Sequence, residues 1–223
     1  MILEGFLLFR VIKRIKRLIF FIFSLLLIVT IGLVVLSIKY PIGYKDIIVK
    51  YSKEYEIDPY LVASLINIES KYNKNARSNK DAKGLMQISA QTGKWAAEVL
   101  GIKDYNEDML YDPETNIKIG TWYLNRLCKE FNGNLDLVLA SYNAGSGNVS
   151  KWLKDDEYSN DGKNLSHIPF KETEEYVKKL KDSYKIYSTV YKKYIMNLND
   201  KDTLYINLIH NIRKTLIELM KTL

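Results

Sequence analysis

Glu69 is the side chain in this 223-residue sequence best placed for acid–base chemistry. Asp58 is a good helix N-cap and Pro59 suits a first helical position, so the sequence predicts a helix from there to about Ser70. Leu61, Val62, Leu65 and Ile66 form its apolar stripe, and Glu69 falls on the same face, one turn beyond Leu65 and Ile66. It also lies in the last turn, where the negative end of the helix dipole disfavours a carboxylate. Burial and dipole both raise its pKa. A carboxylic acid held protonated near neutral pH is what protonating a glycosidic oxygen requires. The plainer alternative is a surface glutamate at a frayed helix end, paired with Lys71.

Other chemistries find less support. With a single cysteine, Cys128, no intramolecular disulfide can form, and with only His167 and His210 beside it no zinc cluster is expected. No nucleophile elbow of the G-x-S-x-G type occurs. The net charge of +7 suggests a nucleic-acid binder until it is located. Residues 1–45 hold seven basic side chains and one acid, leaving 26 basic against 25 acidic residues in the rest of the chain. The body is nearly neutral, and nucleic acid is not an expected partner. No metal or cofactor is called for.

Further along the chain stand Gly84-Leu85-Met86-Gln87-Ile88, Asp112-Pro113-Glu114-Thr115-Asn116, Tyr142-Asn143-Ala144-Gly145, Ile168-Pro169-Phe170, Glu172-Thr173 and Tyr176-Val177. With Glu69-Ser70 ahead of it, this ordered series resembles the catalytic domain of the soluble lytic transglycosylase family, which has a lysozyme-like fold. The resemblance covers about residues 46–195. It implies that Glu69 is the single catalytic acid. It further implies that Ser78 is a polar residue close to that acid, that Gln87 lines a sugar groove, and that Tyr142 and Asn143 face the cleft. Glu172 and Tyr176 match the last motif, with the tyrosine near the catalytic carboxylate. Met86 is expected to pack the core. Each residue also has a structural reading. Asn143-Ala144-Gly145 would stop a helix, Gln87 would satisfy buried backbone, Glu172 would be a first-turn acid favoured by a dipole, and Tyr176 would be one of 17 tyrosines in a core. In one place the pattern breaks: Ile88-Ser89-Ala90 stands where the family usually has an apolar residue and then Met-Pro, which bears on subsite preference.

The reaction implied by the resemblance cleaves peptidoglycan after N-acetylmuramic acid and closes a 1,6-anhydro ring, using one carboxylate and no water. A hydrolase acting on the same bond would need a second acid in the cleft, with Asp81, Glu114 and Glu172 as candidates. A non-catalytic glycan-binding component of an envelope machine is the reading from a different class, and it leaves Glu69 without a purpose.

These residues need a helical scaffold. Asp112-Pro113 repeats the cap signal and opens a helix to about Phe131, closed by Gly133. Asn134 caps another ending near Asn143, and Ser89 and Gly101 bracket a further one. A long amphipathic stretch runs from Lys171 past Tyr191. No run alternates like a strand. Residues 154–167 are polar and turn-rich, which predicts a mobile loop. Upstream, Leu18 to Ile38 is a run of 21 uncharged residues, enough at about 1.5 Å each to span a bilayer core of about 30 Å. Basic residues just before it predict a cytoplasmic N-terminus and an exported body. The run is longer than a signal-peptide core and is followed by no small-residue cleavage site, so an uncleaved anchor is expected. The expected organisation is a basic cytoplasmic segment 1–17, a transmembrane helix 18–38, a linker 39–45, a mainly α lysozyme-like domain 46–196 and an amphipathic C-terminal helix 197–223. The apolar face of that last helix is expected to dock on the domain or to meet membrane or an envelope-machinery partner.

Overall fold

The computed structural model describes residues 2–192, with side chains from Phe9 onward; the expected C-terminal helix lies outside them. Helix α1, Ile2–Lys39, runs unbroken through both the basic segment and the apolar run. Within its stretch Phe9–Lys39 an 18-residue window has a mean hydropathy of 3.1 and no buried residue, so by length and composition it can cross a membrane. Ser24 and Thr30 direct their hydroxyls to the carbonyls of Phe20 and Leu26, at 2.9 and 2.8 Å, leaving no bare polar group there.

The remaining described residues are helices and turns: α2 Lys45–Glu54, α3 Pro59–Ser70, α4 Ala90–Leu100, a 3-10 turn Glu107–Tyr111, α5 Pro113–Glu130, α6 Leu135–Ala144, α7 Ser146–Trp152 and α8 Lys171–Val190. They contain no strand, only isolated bridges joining Lys83 to Arg77 and Ile88. The capping chemistry is as the sequence indicates. Asp58, Ser89, Asp112 and Asn134 each accept a hydrogen bond from a backbone N–H in the first turn of the helix they open. Gly101 closes α4 in the left-handed conformation. Helices α2 and α7 carry no such signal, since neither Tyr44 nor Gly145 makes a side-chain cap. Helix α8 ends at Val190, and Lys192, the last described residue, is helical again.

Helix α3 is more than a stripe. Every residue from Tyr60 to Asn67 is buried, and α3 packs chiefly on α8 and also on α2. A helix buried all round, with only its last turn near the surface, can carry a polar group at its end but not along its length. The last turns of α8 tie the start of the body to it. Tyr191 donates to the Tyr40 carbonyl at 2.7 Å, the Tyr187 hydroxyl bonds the Pro41 carbonyl, and Tyr60 on α3 donates to the Lys192 carbonyl at 2.7 Å. Residues 154–167 are stitched by their own polar groups: Asp161 accepts from the Lys163 and Asn164 N–H groups, and buried Ser159 donates to the Asn164 carbonyl. The polar composition of the segment serves local bonding.

The segment between α3 and α4 folds around one buried amide. Asn116 accepts from the Met86 N–H at 2.8 Å and donates to the carbonyls of Lys83 and Leu110, at 2.9 and 2.7 Å. Gly84 sits at φ +77°, where a Cβ would fall 2.1 Å from the Leu110 carbonyl oxygen, so no larger residue fits. Met86 is fully buried, and Gly120 of α5 lets it approach: a Cβ there would lie 2.4 Å from its sulfur. Replacing Asn116 by Ala orphans the Met86 N–H and the Leu110 carbonyl, while the Lys83 carbonyl keeps the Ile88 N–H, so Asn116→Ala is expected to lose roughly 3 kcal/mol. Chemical denaturation followed by circular dichroism reads this; a loss under about 1 kcal/mol would mean that water replaces the amide.

Candidate active site

Glu69 ends α3, and Lys71 closes the helix in the left-handed conformation without forming an ion pair with it. The residue is half-buried, open on one side, while its carboxyl is packed among protein atoms. The Tyr176 hydroxyl of α8 donates to Oε1 at 2.6 Å. Burial pushes the Glu69 pKa from 4.5 to about 7, and the Tyr176 bond, which favours the carboxylate, pulls the other way. No carboxylate among the described residues adds repulsion.

Tyr142 of α6 is the second phenol at the site. Its hydroxyl donates to the Met86 carbonyl at 2.9 Å. Burial, then the nearby Glu69 charge, hold its pKa well above the ordinary tyrosine value. Tyr176 is held up by the same two causes, then by its hydrogen bond to Glu69 and by the nearby Tyr142. Three elements (α3, α6 and α8) thus bring Glu69, Tyr142 and Tyr176 together, with the Met86 backbone beneath them.

The other expected residues occupy supporting positions. The Gln87 side-chain amide donates to the carbonyls of Gly84 and Ala76, at 2.9 and 3.2 Å, and its backbone is left-handed at φ 47°. This is the backbone-satisfying arrangement, held at a strained position of the kind that clusters at functional sites. Ser78 accepts from the N–H groups of Ala82 and Lys80, at 3.0 and 3.2 Å, which shapes the turn carrying Asp81. Asn143, exposed, accepts from buried Thr173 at 2.8 Å, joining the end of α6 to the start of α8. Glu172 is exposed in the first turn of α8. Neither Ser78 nor Glu172 forms a hydrogen bond or ion pair with Glu69.

Asp81 and Glu114, considered as second acids, are engaged with cations. Lys83 at 2.9 Å and then Arg77 hold the Asp81 carboxyl below the ordinary range. Lys50 at 2.6 Å and then Tyr51 at 2.9 Å do the same for Glu114. Asp81 is thus tied within its own loop and Glu114 to α2, and no cluster of three His, Cys, Asp or Glu side chains that could hold a metal occurs among the described residues. Thr173 and Asn116 are the positioning residues that the sequence did not single out. Both lie inside quoted motifs, where side chains that bond to the protein itself read no differently from side chains that face a ligand.

The chain resembles known proteins in sequence and fold. The transglycosylase SLT domain family matches residues 46–165. The soluble lytic murein transglycosylase of Escherichia coli K12 is 34% identical over 168 residues, 74% of this chain and 25% of that protein. Membrane-bound lytic murein transglycosylase C of Edwardsiella ictaluri is 31% identical over 51% of this chain and 34% of its own length. Among solved structures, an inactive glutamate-to-glutamine variant of lytic transglycosylase Slt from Pseudomonas aeruginosa aligns with a TM-score of 0.63 and 31% identity, covering 70% of this chain and 26% of that one. The 70 kDa soluble lytic transglycosylase of Escherichia coli gives 0.60 and 33%, over 67% and 24%. The chain spans about a quarter of the soluble relatives it matches. By the extent of the family match and the identity within the helical body, the chain belongs to the transglycosylase SLT domain family.

Proposed function

We propose that this chain is a membrane-anchored peptidoglycan lytic transglycosylase in which Glu69 serves first as acid and then as base. The observation that carries the reading is the state of Glu69: one carboxyl with a pKa near 7, bonded by Tyr176, with no second carboxylate acting on it. The names of the relatives supply the substrate class and the reaction. The membrane-bound relatives and α1 support membrane association, with a single pass, a cytoplasmic N-terminus and an exported body as the finer proposal.

Protonated Glu69 gives its proton to the β-1,4 glycosidic oxygen as the bond to C1 of N-acetylmuramic acid breaks. The substrate's own N-acetyl carbonyl oxygen stabilises the positive charge at C1. Glu69, now a carboxylate, takes the proton of the C6 hydroxyl while O6 bonds C1, closing the 1,6-anhydro ring and restoring the acid. Tyr176 holds Oε1 through both steps and lowers the energy of the carboxylate that forms between them. Ser78, Gln87, Asn143 and Glu172 are proposed to shape the sugar groove, the first three through the loops and helix ends they fix.

Digestion of purified peptidoglycan is expected to release anhydromuropeptides, each one water lighter than the hydrolysed product in mass spectra, and Glu69→Gln is expected to release none. Reducing-end products would make water the acceptor and turn the enzyme into a hydrolase. The pH dependence has a definite sign: only protonated Glu69 can start the reaction, so kcat/KM should fall about tenfold per pH unit above about 7. Tyr176→Phe removes the bond that favours the carboxylate, so that limb should move to higher pH while the rate drops. A limb that stays in place would separate it from Glu69. Tethering is testable too. Tyr40 and Pro41 already belong to the body, so a long flexible insert belongs between Lys39 and Tyr40; it is expected to change cleavage in cells but not of purified sacculi. Unchanged cellular cleavage would show that tether length is immaterial.

A further inference from the structure

Trp95 on α4 keeps 40% of its surface open, and Val99, one turn further on the same helix face, keeps 58%. Large aromatics left in water on a soluble body mark binding surfaces more often than single aliphatics do. This tryptophan is also firmly held. Its ring meets Trp122 edge-on at 4.8 Å and Tyr123 at 6.4 Å, and the Arg126 guanidinium lies 5.8 Å from its centre. Tyr123 in turn meets Tyr142 at 5.5 Å, and Tyr142 feels the charge of Glu69. A continuous run of aromatic rings therefore leads from the acid to an exposed platform on α4.

We infer that Trp95 forms an outer sugar subsite, stacking on a pyranose ring of the same glycan strand whose scissile bond lies at Glu69. The inference rests on the proposed substrate class and deepens it. Three observations favour a sugar over other occupants. The platform is joined through Tyr123 and Tyr142 to the residues around Glu69. A β-linked pyranose offers an apolar face of axial C–H groups to a flat ring. The Arg126 cation beside the ring suits the free lactyl carboxylate of a muramic acid that carries no stem peptide, and it strengthens the tryptophan as a platform. Because Trp95 also packs on the core ring of Trp122, the dependence of binding on strand length, rather than affinity alone, separates a subsite from a packing role.

The test uses the full chain in detergent micelles, carrying Glu69→Gln so that strands bind without being cut. Peptide-free glycan strands of defined length, from tetrasaccharide to decasaccharide, are titrated by calorimetry. Affinity is expected to rise with length in the Glu69→Gln protein. Adding Trp95→Ala should cut the affinity of the longest strand about tenfold and that of the tetrasaccharide by less than about twofold, with Trp95→Phe recovering most of the loss. A general packing defect would weaken all lengths alike and would overturn the subsite, as would equal binding of every length with and without Trp95. Wild-type digestion of peptidoglycan in parallel keeps the two readings apart. If anhydro products form but Trp95→Ala leaves the length dependence intact, only the subsite fails; if no strand binds and no product forms, the substrate class fails with it.

Discussion

One buried carboxyl organises this molecule. Glu69 in an unfolded chain ionises near 4.5 and in the folded protein near about 7. The fold therefore binds that proton more tightly than the unfolded chain does. Its contribution is a loss of stability that begins as pH rises past 4.5 and is complete above about 7. Allowing for the side of the residue open to solvent, the loss is about 2 kcal/mol. A protein holds a group this unfavourably only if the surroundings are rigid for other reasons. Here α3 supplies them: Tyr60 through Asn67 are buried, and α8 and α2 pack on it. The acid sits at the first point where that helix comes near the surface.

The second requirement is that the phenols around Glu69 keep their places, and the loop between α3 and α4 provides this through a relay of bonds. Asn116 on α5 fixes the Met86 N–H, the Met86 carbonyl receives the Tyr142 hydroxyl, and Tyr142 lies in the field of Glu69. Gly84 and Gly120 are both needed for that loop to approach so closely. Asn143 and Thr173 then pin α6 to α8 beside Tyr142 and Tyr176. The short motifs dispersed along the sequence are thus neighbours in one scaffold, and most of their residues work by bonding to each other.

This explains what was legible beforehand. Caps and breakers are local, and Asp58-Pro59, Asp112-Pro113, Ser89 and Asn134 announced four helices because a side chain meets a backbone N–H within one turn. The burial of Glu69 was legible from its register against Leu65 and Ile66. The short helices α2 and α7 were not, because each begins without a side-chain cap. Nor were the partners of Asn116, since its three bonds reach residues 6 to 33 positions away and no local pattern encodes them. The internal bonds of 154–167 were not legible for a related reason: composition reports how many polar groups a segment has, not which of them bond one another.

The break in the family pattern acquires a physical meaning at α4. Ser89 is occupied as the N-cap, accepting from the Thr92 N–H at 3.1 Å, and Ala90 stands at the first helical position. A Met-Pro pair would give that helix the same start by a different route, through the fixed φ of proline rather than a hydroxyl. What the exchange removes is one flexible apolar side chain near the groove. On the same short helix, Trp95 presents a rigid one further along, held against Trp122 and Tyr123. In the proposed subsite, apolar contact with a glycan strand falls to the α4 face, while the acid and its two phenols depend on α3, α6 and α8. The proposal thus puts affinity along the strand and proton transfer at the scissile bond on different elements.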